Sequence, residues 1–400
     1  MTKKKILICD DSPEVGRSLK SGIERIGVVG EHFEKPILAG KKELERAVKA
    51  LEKRLKLARA SKIDDYPDDD AAKFIDEADL LVIDYALFNL DTSVTGERIA
   101  YLARCYSKCG IIIALNQYPP YVEEYFDLTL RGHLESYAGL NIPSDSLMNS
   151  GLWEEPWSGF RPWSWPLLPQ AIDKLENRVS ELSEHLGDKI LEYLGFKGTK
   201  ALTLPRSMVE FLSRAKPEET TFQEFVDSER SGNGLRGNKE RPINDEAIAR
   251  IAAARIGSWL EYSVLPGQDI LVDAPHLISR FPSLLGENTQ DIGGWNRTAS
   301  FNESLLKLDP ILEPCQFKKK AWLSRPAWFW NELRDNENIE EVKNPWTIRR
   351  PDHVFCEDIS KFDARDNTRE FVADLNSPYS RRYVKKMQNI QYTPIVRFSM

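Results

Sequence analysis

Apolar residues in this chain follow two rhythms. KKILICDD carries an unbroken apolar run that ends in the adjacent acids Asp10 and Asp11, and ADLLVID carries another that ends in Asp84. Unbroken runs of this length suit central strands of a parallel sheet that is covered on both faces. Between them the spacing turns helical. Val15, Leu19, Ile23 and Ile26 share one face of a first helix, and Ile99, Leu102, Ala103 and Tyr106 share a face of GERIAYLARCY. Val28-Val29 is read as the opening of the second strand and GIIIALN, Gly110 to Asn116, as the fourth. This alternation predicts an α/β fold, a doubly wound, five-stranded parallel sheet of flavodoxin-like type. The segment KKELERAVKALEKRLKLARASK, about residues 40–62, is read as a charged helix inserted between the second and third strands. Its narrow seam of Leu44, Val48, Leu51, Leu55 and Ala58 is expected to dock on its own domain.

Ligands of open parallel sheets collect beyond the carboxyl ends of the strands, where Asp10, Asp11 and Asp84 are expected. Crowded carboxylates repel one another and favour a hard cation. Mg2+ is commonly held by one or two carboxylates, waters and a phosphoryl oxygen. The plainer use of such residues is capping, and Asp11-Ser12-Pro13-Glu14 would start a helix well. The three acids together favour a Mg2+ site.

At these residues the chain resembles the receiver domain of two-component response regulators, over roughly the first 140 residues. Asp10 and Asp11 stand at the family's metal-binding position and Asp84 at its phosphoacceptor position. Leu87 followed by Thr95-Gly96 is similar to the segment after that acceptor. The resemblance implies phosphoryl acceptance on Asp84 from a histidine kinase or phosphotransfer protein, with Mg2+ as cofactor. Two departures stand out. Asn116 ends the fourth strand where the family carries Ser or Thr, and in YFDLTLRGHLESY the nearest cation to the family's Lys is Arg131. An amide still donates a hydrogen bond, and arginine grips phosphate as a fork where lysine is a point charge. Asn116 and Arg131 are therefore the residues expected to hold the phosphoryl group.

A length of 400 residues with 41% apolar content allows two or three domains. The reading is a receiver-like domain over 1–142, a connecting segment over 143–169 and an α/β or α+β output region over 170–400. A net charge of −7 disfavours general nucleic-acid binding, no run reaches the length of a membrane helix, and MTKKKILICDD lacks a signal-peptide pattern. A cytoplasmic protein is the expectation. Five cysteines form no CxxC pair or zinc spacing and are read as reduced structural thiols. The acids between Asp64 and Asp70 lack the ligand pattern of an EF-hand and are read as a solvated loop.

The connecting segment contains Trp153, Trp157, Trp163 and Trp165, too much apolar area for a free linker, and is expected to strap across a neighbouring domain or to form part of an interface. Next, Ile172, Leu175, Val179, Leu182 and Leu186 alternate at helical spacing, as in a bundle core or a helix that supports a homodimer. GxGxxG spacing at Gly232, Gly234 and Gly237 follows a helical segment and is read as a loop. A helix is expected from Asn244 or Asp245 with Ile248, Ile251, Ala252, Ile256 and Leu260 buried, then a strand ending at Asp273 with His276 beyond it. That pair suits either a turn or acid–base chemistry. RPAWFW, PWTIRRPDHVFCEDISKF and SPYSRRYVKK mix aromatics with Arg349, Arg350, Arg381, Arg382, Lys385 and Lys386, as protein interfaces and single-stranded nucleic-acid sites do. His353, Glu357, Asp358, Asp363 and Asp366 raise a metal-dependent nuclease. Three readings stand. In the first, a response-regulator-like protein uses phosphorylation of Asp84 to control a C-terminal interaction with a protein partner. In the second, a phosphate-blind receiver serves as a scaffold. In the third, the receiver gates an effector enzyme such as a nuclease.

Overall fold

The computed structural model describes residues 3–60, 69–87, 94–116, 136–154, 167–230, 243–285, 291–299, 310–334, 352–372 and 380–386, with a few isolated positions. The apolar runs form β1 (Ile6–Cys9), β3 (Leu80–Asp84) and β4 (Ile111–Asn116). With β2 (Ile37–Ala39) and β5 (Leu140–Pro143) they make an all-parallel sheet in the order β2-β1-β3-β4-β5. This is the flavodoxin-like order. Alternation sorts the strands cleanly. Leu7, Cys9, Leu81, Ile83, Ile112 and Ala114 enter the core on one face, and Ile6, Ile8, Leu80, Val82, Ile113 and Leu115 enter the core on the other.

Helix α1 (Pro13–Glu24) packs Leu19 and Ile23 on the second face. On the first lie α3 (Lys41–Arg59) and α5 (Gly96–Tyr106), whose predicted stripes are all buried. The charged helix expected as an insertion is the crossover itself, joining β2 to β3. Val28-Val29 is corrected: it lies in the short helix α2 (Gly27–His32), and the second strand comes at Ile37–Ala39. Two valines favour strand only weakly. Here Val29 gains more by burial against the β1 face, and Pro36 biases Lys35 toward extended chain just before Ile37. The short helix α4 (Asp70–Asp76) leads into β3; Asp69 caps it by accepting from Ala71 N at 3.0 Å, while Asp64, Asp65 and Asp68 lie outside the described residues.

Trp153 is buried, donates from Nε1 to Leu147 O at 2.9 Å and sits edge-on to Phe33 at 5.5 Å, so this part of the segment after β5 does strap the sheet. Trp157, Trp163 and Trp165 lie outside the described residues. The helix α6 (Leu168–Leu182) spends its apolar face inside the molecule, with Ile172 toward one sheet face and Leu175 and Leu182 toward the other core. α7 (Phe222–Arg230) and α8 (Asp245–Trp259, capped by Asn244 accepting from Ala247 N) continue that second core, which runs unbroken from the sheet to Trp322 and Phe329. The glycines at 232, 234 and 237 lie outside the described residues.

Beyond α8, β6 (Leu271–Asp273) pairs antiparallel with β7 (Ala327–Phe329), and a four-stranded mixed sheet is built from β8 (His353–Cys356), β9 (Lys361–Ala364), β10 (Thr368–Val372) and β11 (Arg381–Lys385). The aromatics expected at an interface are largely core: Trp328, Phe329 and Trp330 are buried, as is Arg382. Arg349 and Arg350 lie outside the described residues. All five thiols are free and buried. Among the described residues no helix is long and apolar enough to cross a membrane.

Candidate metal centre

Parallel pairing aligns Cys9 with Ile83, which puts Asp10 just past the end of β1 and Asp84 at the end of β3. Ser12 then turns the chain: Asp10 Oδ1 accepts from Ser12 N at 2.8 Å, and Ser12 caps α1 ahead of Pro13. The two readings of the sequence therefore hold together, since Ser12 does the capping and leaves Asp10 and Asp11 at the strand end. At β3, Asp84 Oδ1 accepts from Ala86 N at 3.2 Å. Gly96 is required here by close approach, because a Cβ would lie 2.4 Å from Asp84 O and 2.7 Å from Tyr85 Cα. It lets α5 start against the end of β3, with Thr95 capping the helix.

One carboxylate oxygen from each of Asp10, Asp11 and Asp84 lies within 4.8 Å of the other two. Asp10 and Asp84 are 4% and 5% exposed, and Asp11 is at the half-buried rim. Asp10 Oδ2 is buried without any hydrogen-bond partner. Burial, followed by the charges of Asp84 and Asp11, pushes the Asp10 carboxyl up to about 6 against one N–H bond from Ser12. Asp84 is raised for the same first reason, with Asp11 adding to it. An orphaned buried oxygen beside two more carboxylates is costly unless a cation completes the site. Hard oxygen donors fit Mg2+ or a similar divalent ion. The arrangement can hold such an ion at the rim where Asp84 presents its carboxylate.

The remaining expected site residues divide. Asn116 ends β4 at the same edge of the sheet, one residue past Leu115, the register partner of Asp84. Arg131 lies outside the described residues, and its alignment is corrected: the fifth strand is Leu140–Pro143, so Arg131 precedes that strand instead of following it. Within YFDLTLRGHLESY, Tyr125–Phe126 is extended and pairs in parallel with Gln391–Tyr392.

A second constellation was half visible. Asp273 caps the helix α9 (Ala274–Arg280), accepting from His276 N at 3.2 Å and from the His276 ring at 2.6 Å. The other ring nitrogen meets Glu357 Oε1 at 2.9 Å. Arg325 pairs with Asp273 Oδ2 at 2.6 Å, and Arg382 Nε lies 3.4 Å from Glu357. The five side chains are almost fully enclosed. Burial opposes the charge on Asp273, but Arg325 and His276 hold it well below the usual carboxylate range; His276 with Arg382 and Arg325 lowers Glu357 likewise. The cluster is an interior ion network that ties the mixed sheet to β6 and β7. Glu357 and Asp358 point away from the nuclease reading: Asp358 accepts from Lys385 N, Asp363 accepts from Ala364 N and Asn367, and among the described residues the one gathered group of metal ligands is Asp10, Asp11 and Asp84. The Asp273–His276 pair was legible as a turn after the strand. Its partners Arg325, Glu357 and Arg382, 52 to 109 residues beyond Asp273, carried no local signal.

Comparison with known proteins finds no family model that matches this chain and no curated protein that matches it. What the structure defines is a flavodoxin-like, receiver-like α/β fold with an acidic cluster at its strand ends, followed by a helical region and mixed C-terminal sheets.

Proposed function

We propose that the chain is a response-regulator-like signalling protein in which Mg2+ binds at Asp10, Asp11 and Asp84, and Asp84 accepts a phosphoryl group from a histidine kinase or phosphotransfer protein. The observation that carries this reading is the convergence of the three carboxylates beyond β1 and β3, with Asp10 Oδ2 buried and unpartnered. An Asp84 oxygen attacks phosphorus in line, the P–N bond to the donor histidine breaks, and the imidazole leaves with its electron pair. Asp10 and Asp11 orient the site. When bound, Mg2+ neutralises charge on the transferring group. Asn116, the last residue of β4, is the residue proposed to hold the product. Phosphorylation then changes an interaction that residues 170–400 make with a protein partner.

Intact-protein mass spectrometry tests this. Acetyl phosphate with Mg2+ adds one phosphoryl group to the wild type and none to Asp84→Asn, and the adduct carries roughly −2 in charge. Failure with several donors, alongside a normal Mg2+ response, leaves a phosphate-blind docking module, the reading that Asn116 in place of Ser or Thr favours.

A further inference from the structure

At the other end of the sheet, far from the acids, the first residues of β4 and β5 meet α6 and α8 around a cavity of about 70 Å³. By the usual requirement of about 10–15 Å³ per water, it has room for roughly five waters. Arg104 of α5 and Lys174 and Arg178 of α6 line it, and Glu261 is the single carboxylate in the lining. That carboxylate is already committed, accepting from Ser324 N and, at 3.2 Å, from Ser324 Oγ. The cations are only partly used. Lys174 donates to Leu323 O and to Ser324 O, Arg178 reaches Ala321 O at 3.4 Å, and Arg104 donates to Cys109 O and Gly110 O. The Nε of Arg104 and the Nε of Arg178 are buried with no partner, and Arg104 is 2% exposed. The remaining walls are largely apolar, from Ile111, Ile112, Leu140, Leu175 and Leu323.

We propose that this cavity is a binding site for a small oxyanion, a phosphate or a short-chain carboxylate, that bridges the receiver-like sheet and the C-terminal helices. Three buried cations against one engaged carboxylate leave positive charge that no described lining group balances, and a small anion is what such a lining pairs with. Burial lowers Lys174 to about 8 and Arg178 to about 10, the direction expected of cations awaiting a counter-charge. The size admits one anionic head and a short arm. Since α6, α8 and the 321–324 turn all border the cavity, occupancy would brace the output region against the sheet independently of Asp84.

The experiment uses the full chain in EDTA, so that the acidic site is without metal, at constant ionic strength set with chloride. Inorganic phosphate and butyrate are titrated separately, followed by thermal unfolding and hydrogen exchange. The expected result is a saturable stabilisation by at least one of them, with slower exchange confined to residues near 171–178, 257–262 and 321–324, and a dissociation constant about tenfold or more weaker in Lys174→Gln. Tighter binding of butyrate than phosphate assigns the apolar arm. Stabilisation no greater than chloride gives, protection elsewhere, or an unchanged constant in a folded Lys174→Gln overturns the proposal. If that variant does not fold, the exchange pattern of the wild type decides.

Discussion

Asp10 concentrates the chemistry of the acidic pocket in one side chain. Its carboxyl is pushed up to about 6 by burial and by its acidic neighbours, above the ordinary unfolded value. The folded state therefore holds the extra proton between roughly pH 4 and 6, and the side chain costs stability increasingly as the pH rises through that window. In EDTA at pH 7, Asp10→Asn is expected to be more stable than the wild type by about 1 kcal/mol, a figure discounted for solvent at the rim of the site, and the difference should vanish near pH 4. Urea midpoints measured across that range read it. With Mg2+ the order changes, because the ion stabilises only the protein that binds it, so the wild type gains and Asp10→Asn does not. A wild type that is the more stable protein in EDTA at pH 7 contradicts the buried, uncompensated carboxylate. At this scale the sequence was informative, since an apolar strand that stops abruptly at an acid puts that acid at the strand end.

Elements impose the next constraint. The start of α5 approaches β3 so closely that Gly96→Ala would press a methyl group into the Asp84 carbonyl, and neither side is a flexible side chain that can give way. We expect a loss of about 1–3 kcal/mol in unfolding free energy and a weakened Mg2+ response, because the end of β3 must shift. An unchanged urea midpoint and Mg2+ response would contradict this close approach. The α3 seam makes a separate claim. Leu51 is fully buried within the chain's own core. Leu51→Ala should cost about 2–5 kcal/mol without changing the oligomeric state in sedimentation, whereas a helix that served a partner would lose self-association before stability. Helical stripes were legible here because a period of 3.6 survives any context that buries one face. The Val28-Val29 pair was not, because two residues carry no period.

Over the whole molecule the interior ion network matters most. Asp273, His276, Glu357, Arg325 and Arg382 come from β6, α9, the loop before β7 and both the end of β8 and β11. Removing one partner leaves buried charges unmatched, so Glu357→Leu is expected to cost about 3–5 kcal/mol and to speed hydrogen exchange in strands β8 to β11 before the parallel sheet. Uniform exchange through both sheets would sink the idea that the network is their tie. Asp273 and Glu357 are held below their ordinary values. Their stabilisation is thus complete above the unfolded carboxylate range and is lost as the pH falls through the folded values, the opposite sense to Asp10.

Local information in the chain determined the strands β1, β3 and β4, the helices α1, α3, α5 and α8, and the placing of Asp10, Asp11 and Asp84 at strand ends. Each rests on the periodicity or termination of an apolar run, which is set by neighbours in sequence. Tertiary structure alone decided the rest. It set the fifth strand at Leu140–Pro143, which removed Arg131 from the place after it, and it buried Trp328, Phe329, Trp330 and Arg382, which composition suggested for a surface. It also joined His276 to Glu357 and gathered Arg104, Lys174 and Arg178 around one cavity. Those outcomes depend on which distant segments share a core, and burial of apolar area rewards such meetings without leaving any spacing in the sequence to announce them.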